Sequence, residues 1–416
     1  VGKKKLREVN KNLARFYVTS DNDTTPSAEA QKEGRTMLFH HGGGDYEVAA
    51  SAAATAARAK MEEKIAGGKA SAIALYEKVH AAVPVDAIAR GSALHFTHEQ
   101  GPVVVSVGSS MEPYTIHRHA LGQMADKADI PARYLADLIE APEAWKRELG
   151  ARMLNEHFHN STRVRSEDQS QNRHLVRAVD GQVRGFLSDK YRRLDSRPLL
   201  ESFAGACHAL GAIPVEGTVT DTRLALKAFL PLVFEPVPNE VMCLGVEWSN
   251  SDFGAGKHAL RAFIFRLWCA NGAVMEDALS QVHLGGRLAD NIEFSNRTYM
   301  LDTKAQVSAL NDIVQSTLGP NNVHQLLATI KAADEKKVEW RHVSTLLGKK
   351  LLKEELKNVR DAFDSDDVIN LPAEKSIWRV SNAISWIAGK TEDPDRKLDL
   401  QRLAGAVIHG KNEEAA

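Results

Sequence analysis

Cysteine is scarce in this 416-residue chain: Cys207, Cys243 and Cys269 are all there is, odd in number and widely spaced. That excludes a disulfide framework and fits buried thiols in a reducing, cytoplasmic compartment. Net charge is nearly absent too, at -1. A uniformly basic, DNA-coating surface is thereby excluded, and any nucleic-acid footprint has to be a local stripe. No apolar run approaches the ~20 residues of a spanning helix; Arg261 and Arg266 break up the most apolar stretch. Lys3-Lys4-Lys5 leads into no apolar segment, so neither a leader nor a membrane anchor is expected.

Catalytic signatures are missing as well. There is no G-x-S-x-G elbow, no H-E-x-x-H, no Cys-x-x-Cys pair and no G-x-G-x-x-G after a strand. Gly42-Gly43-Gly44 and Gly67-Gly68-Lys69 lack the lysine and hydroxyl spacing of a nucleotide loop and read as turns. His95 and His98 have no cysteine pair or acidic motif beside them to complete a metal set. The expectation is a binding protein rather than an enzyme, with no cofactor and no metal.

What is present concentrates between Ser161 and Val274. His174 to Val179 and Gln182 to Leu187 are strand-like runs separated by Asp180-Gly181, the dipeptide of a type I′ hairpin turn. A two-residue loop sets Val179 opposite Gln182, Ala178 opposite Val183 and Arg177 opposite Arg184. Val176, Ala178, Val183, Gly185 and Leu187 then form the core face, and Leu175, Phe186, Arg177 and Arg184 the other. Two like charges directly opposed require a carboxylate from elsewhere in the fold, or a bound anion. Both options stay open at this point. From Arg163 to Arg197, nine Lys and Arg stand against five Asp and Glu. Cations interleaved with aromatics suit a polyanion, because phosphates meet the charges while bases stack on the rings. A solvated loop with local ion pairs has the same composition. The candidate nucleic-acid contacts are Arg177, Arg184, Phe186, Lys190, Tyr191, Arg192, Arg193, Lys227, Arg261 and Arg266.

The blocks VRGFLSDKYRRLDSRPLL and GVEWSNSDFGAGKHALRAFIFRLWCANGAV resemble the phage/plasmid-like protein family, a domain found in phages, prophages and conjugative plasmids. The matching positions are Arg184, Ser188, Asp189 and Tyr191; then Asn250, Ser251 and Gly254; then Arg266, Cys269, Asn271 and Gly272. The resemblance runs over about residues 110 to 409 and includes SIWRVSNAISWIAGK and LQRLAGAVI. No activity attaches to the family. It implies a mobile-element setting in a bacterial host, where DNA replication, recombination and defence are the common tasks.

Along the chain, 1–35 reads as a polar, basic arm and 36–160 as a mainly helical region with a small hairpin. The β-rich core spans 161–300, a helical region 301–409, and 410–416 is tail. Gly67-Gly68 reads as the turn of an αα-hairpin between alanine-rich helices. Thr115 to Ala141 has the spacing of a helix-turn-helix with Arg133 and Tyr134 opening the second helix, or of plain helix packing. Ser196 reads as the N-cap of a helix stopped at Gly211. The expected fold is α+β, a central antiparallel sheet over about 162–275 flanked by N- and C-terminal helical regions. The expected function is binding of nucleic acid, single-stranded DNA foremost, in phage or plasmid DNA metabolism, extending to strand annealing. The rival is a non-enzymatic interaction or assembly factor, and a homo-oligomer is a further expected partner. Third comes a metal-dependent nuclease drawing on Asp189, Asp195, Asp221, Glu247 and Asp252.

Overall fold

The structure, a computed structural model, describes residues 36–98, 101–108, 112–160, 173–267, 272–281, 295–365 and 371–409. The fold is α+β. Apart from a two-stranded hairpin, its described strands gather in two six-stranded sheets, so the span 162–275 is shared between them.

The first sheet holds β3 (Val85–Arg90), β4 (Leu94–Thr97), β5 (Val104–Val107), β6 (Tyr114–Ile116), β7 (Arg173–Val179) and β8 (Gln182–Ser188), in the order β3-β7-β8-β6-β5-β4. Pairing is antiparallel except between β6 and β8. The expected hairpin is therefore completed by strands from a region read as mainly helical. Helices α2 (Arg118–Ala128), α3 (Ala132–Ile139) and α4 (Ala144–Asn160) cover one face. Leu121, Met124, Leu135, Leu154 and Phe158 pack there on Val176, Val183 and Phe186. The helix-turn-helix spacing is realised, with Asp129 in the left-handed conformation at the turn. Arg133 and Tyr134 share the exposed side of α3 with Asp137 and Glu140.

The second sheet holds β9 (Ile213–Val219), β10 (Leu224–Phe229), β12 (Glu240–Asn250), β13 (His258–Arg266) and β14 (Gly272–Gln281), in the order β14-β13-β12-β10-β9, with β11 (Phe234–Val237) paired to β12. It is antiparallel throughout. Leu226, Leu244, Trp248, Leu260 and Ile264 face a large core shared with α5 (Ser196–Ala209) and the C-terminal helices. Those are α6 (Asn296–Leu318), α7 (Pro320–Glu335), α8 (Trp340–Leu347), α9 (Lys353–Asp364), α10 (Ile377–Lys390) and α11 (Pro394–Ile408). The opposite face of the sheet, with Phe229, Cys243, Phe263 and Phe265, packs on Ala54, Ala57 and Met61 of α1 (Ala52–Ala81). A hairpin of β1 (Thr36–His41) and β2 (Gly44–Ala49) precedes α1.

Two local features overturn sequence expectations. The Asp180-Gly181 turn forms, with φ of 51° and 74°, and Val179↔Gln182 and Ala178↔Val183 pair as expected. The register then shifts, so that Arg177 faces Gly185 and Arg184 is the extra residue of a β-bulge. Because side chains alternate along a strand, one extra residue turns everything beyond it to the other face. Phe186 therefore enters the core opposite Val176, and Leu187 joins Leu175 and Tyr191 on the far side. Gln123 of α2 holds the bulge: its Oε1 accepts the Phe186 N–H at 2.7 Å.

The second feature is α1, one unbroken helix through Gly67-Gly68. Gly68 is there for close approach, since a Cβ on it would stand 1.9 Å from the Val215 carbonyl oxygen of β9. Ser71 Oγ, one turn on, accepts the Gly217 N–H at 3.0 Å. A glycine pair that looks like a turn in sequence is here a docking notch between helix and sheet.

Candidate anion-binding site

The basic residues singled out in the sequence do not share a groove. Arg177 is 1% exposed; its Nε donates to Asp86 Oδ1 at 2.7 Å, one terminal nitrogen to Asp195 Oδ1 at 2.5 Å and the other to the Asp252 carbonyl at 2.8 Å. Burial alone would lower its pKa, but Asp195, Asp86 and Asp252 outweigh this and hold the guanidinium more firmly charged than usual. Arg193 lies 3.5 Å from Asp86 and over the Tyr299 ring. Arg192 pairs with Asp302 through two nitrogens, and Arg184 sits 3.8 Å from Asp221. Arg266 pairs with Glu240 at 2.6 Å, where Trp378 Nε1 also donates. Lys190 is half-buried beside Ser188, whose Oγ accepts its N–H. Phe186 is in the core, and Tyr191 is 7% exposed. The hairpin carries internal ion pairs, not a phosphate track.

Of the residues that carry the resemblance, Tyr191, Asn250, Ser251 and Gly254 meet around the loop between β12 and β13. Tyr191 Oη donates to the Ser251 carbonyl at 3.3 Å. Ser251 Oγ donates to Thr222 O and accepts the N–H groups of Phe253 and Ala255. Asn250 Nδ2 donates to Leu194 O at 2.8 Å and Ser196 Oγ at 3.0 Å. Ser196 is therefore not the N-cap; it is the first residue of α5, and its N–H and hydroxyl both donate to Asp252 Oδ1, at 2.8 and 2.6 Å. Gly254 has φ of 79°, with Leu187 and Gln123 filling the space a Cβ would take. His119 and Gln123 of α2 both reach the Phe253 carbonyl, at 3.0 and 2.9 Å. This loop is the clasp that joins the two sheets. Ser188 and Asp189 lie at its edge, within 3.4 Å of each other, with Arg173 4.0 Å from Asp189. Cys269 and Asn271 lie outside the described residues, and Gly272 opens β14.

Beyond the clasp the second sheet buries a charged seam. Lys227, 1% exposed, donates to Gln401 Oε1 at 2.5 Å and to Glu216 at 3.3 Å, and stands 3.8 Å from Glu247. Glu247, fully buried, is 3.5 Å from Arg261 and 3.3 Å from Arg402. Burial would raise the Glu216 pKa, but Lys227, Lys64 and Lys397 outweigh it and hold the carboxyl well below the usual range. Buried ion networks of this kind are weak stabilisers, and they mark functional sites more often than chance.

Where the seam reaches the clasp there is a cavity of about 240 Å³, far above the ~10–15 Å³ that admits a water. Arg223, Arg261 and Arg402 line it, with the exposed Lys257 and Gly256 at the mouth and Ser249, Asn250 and Asp399 completing the wall. Arg223 is 3.6 Å from Asp395. Lys257 makes no ion pair among the described residues. Arg402 Nε is shut off from solvent and bonds to nothing there. A void lined by this many cations suits an anion.

Of the residues proposed from sequence, Arg261 lines this cavity, Lys227 lies behind it, and Asn250 forms part of its wall. Arg223, Lys257 and Arg402 were missed. Lys257 follows a glycine-rich turn that was visible, whereas Arg402 arrives from α11 with no local signal. The carboxylates offered as a metal set divide among four places: Asp189 beside Arg173, Asp195 and Asp252 with Arg177, Asp221 with Lys78 and Arg184, and Glu247 in the seam. Among the described residues no group of three or more His, Cys, Asp or Glu is placed to hold a metal ion, and no helix is long and apolar enough to cross a membrane. Comparison with protein-family models, with curated proteins and with solved structures finds no match.

Proposed function

We propose that the chain binds the phosphate groups of nucleic acid, single-stranded DNA foremost, at the cavity between the β12–β13 loop and α11. One observation carries the reading: Arg223, Lys257, Arg261 and Arg402 converge on a void with a single lining carboxylate, Asp399. Arg223, Arg261 and Arg402 face the carboxylates Asp395, Glu247 and Asp399, while Lys257 makes no ion pair among the described residues, and a phosphate at the mouth would meet that charge. Binding of this kind is positional and independent of base identity, which leaves bases free to pair. The setting of phage or plasmid DNA metabolism rests on the family resemblance alone.

Titrating a fluorescent oligonucleotide across a salt series tests this. Each phosphate contact to a single strand contributes about 0.7 to the slope of log K against log salt. Lys257→Gln with Arg402→Gln lowers the slope by about 1.4 if both contact phosphate. No salt-dependent binding, or an unchanged slope in the double variant, sinks the reading.

A further inference from the structure

Strand β3 is an edge of the first sheet. It pairs with β7 on one side, and no described strand lies on the other. Edge strands are normally short, covered or armed with charge, because bare backbone templates further pairing. This one keeps Val85 and Ile88 exposed, at 58% and 38%, with Val83 just before it at 54%.

Its sequence is also complementary to itself. Pairing an antiparallel copy about Ile88 sets Ile88 against its own counterpart, Ala87 against Ala89, and Asp86 against Arg90. Asp86, Ile88 and Arg90 alternate onto one face, opposite Arg177, Leu175 and Arg173 of β7. The pairing thus has an apolar centre and an opposite-charge pair at each end, all on the same side of the sheet. Arg90 is exposed and makes no ion pair among the described residues. Asp86 is already ordered by Arg177 and Arg193. Pro84 before the strand and the 3-10 turn Gly91–Ala93 after it bound the pairing window. A one-residue slip in either direction turns the apolar and charged faces against each other, so this register is favoured over its neighbours.

We infer that two copies of the chain pair through β3, antiparallel about Ile88, into a two-fold dimer whose first sheets form one continuous sheet. The contact is isologous, the same strand used by both copies, which is the commonest way a closed dimer forms. It stands independently of the cavity: loss of nucleic-acid binding leaves it untouched.

Sedimentation of the full chain reads the mass, and a dimer at micromolar loading is expected. Ile88→Lys sets two ammonium groups face to face at the centre and yields a monomer. Arg90→Asp does the same through Asp86. Circular dichroism matching wild type shows that each variant still folds. A second measurement needs no disruption. Ile88→Cys brings two thiols directly opposite, with Cα atoms about 4.5–5.5 Å apart, within disulfide reach. Val85→Cys leaves them about 20 Å apart at ~3.3 Å per residue. Mild oxidation therefore links the Ile88→Cys copies and not the Val85→Cys copies. A monomeric wild type, or equal crosslinking at both positions above the wild-type background, overturns the inference.

Discussion

Arg177 stands opposite Gly185, one residue beyond the arginine that an unbroken hairpin places there. The bulge at Arg184 separates two charges that would otherwise collide. It sends Arg177 inward among Asp86, Asp195 and the Asp252 carbonyl, and leaves Arg184 near Asp221 at the margin. The two arginines therefore differ in kind. Arg177→Gln strands the carboxylates around it and costs about 2–3 kcal/mol, below the ~3–5 of a fully buried pair because Asp86 and Asp195 keep some water. Arg184→Gln costs at most about 1 kcal/mol. Urea unfolding of the two variants measures the gap, and equal midpoints would refute the assignment. Neither change alters the salt slope of oligonucleotide binding.

Asp252 predicts the acid side of the stability curve. Enclosure raises its pKa to about 6; Arg177 and the bonds from Ser196 pull it back only in part. The folded state then holds a proton that the unfolded chain, with an ordinary value of 3.8, has released. Between those values the native state binds more protons, so stability contributed by this group rises as pH falls from about 6 toward 4. The slope is at most about 1.4 kcal/mol per pH unit. Glu216 acts in the opposite sense at lower pH, since its depressed pKa means its contribution is lost once pH drops below the usual carboxylate range. Asp252→Asn keeps the oxygen that accepts from Ser196 and removes the charge. Unfolding free energies measured from pH 4 to 7 should lose that rise in the variant. A rise that persists unchanged places its origin elsewhere.

The cysteines supply a simpler test. Cys207 lies within α5 and Cys243 within β12, both fully enclosed, and burial pushes both thiols up, away from the reactive thiolate. In native protein neither should react with a thiol reagent on the timescale of a free thiol, and both should react in urea. Peptide mapping after native labelling distinguishes them from Cys269. Rapid native labelling of either would contradict its placement.

Much of this was legible beforehand. The Asp180-Gly181 turn and the helical C-terminal third both follow from local pattern, and local pattern is what sequence records. The bulge at Arg184 is not local in that sense. Gln123, from α2, takes the Phe186 amide and so settles the register. Without it Phe186 reads as surface, and the basic hairpin reads as a binding face. Lys227, Glu247 and Arg261 stood out in the sequence only singly, as candidate nucleic-acid or metal contacts, and nothing there joined them into a seam. Its closing residues, Gln401 and Arg402, come from α11, and only tertiary packing brings them to the cavity.

The glycine pair in α1 gives the sharpest contrast between pattern and packing. Gly67 is exposed, and a Cβ there meets nothing within 4 Å. Gly68, the next residue, is buried against β9, and a Cβ would lie 1.9 Å from Val215 O and 2.4 Å from its carbonyl carbon. Backbone atoms of β9, held by its pairing with β10, cannot swing aside as a flexible side chain would, so the helix itself has to retreat. Gly67→Ala should stabilise by about 0.5–1 kcal/mol, because a mid-helix glycine costs that much relative to alanine. Gly68→Ala gains the same propensity and loses more, for a net cost of about 1–3 kcal/mol from overpacking. Had the pair formed a turn between two helices, no such opposition would arise between neighbours. Thermal unfolding of the two single variants decides it: opposite shifts place α1 on β9 through Gly68, and shifts of one sign would mean that the helix does not lie against the strand there.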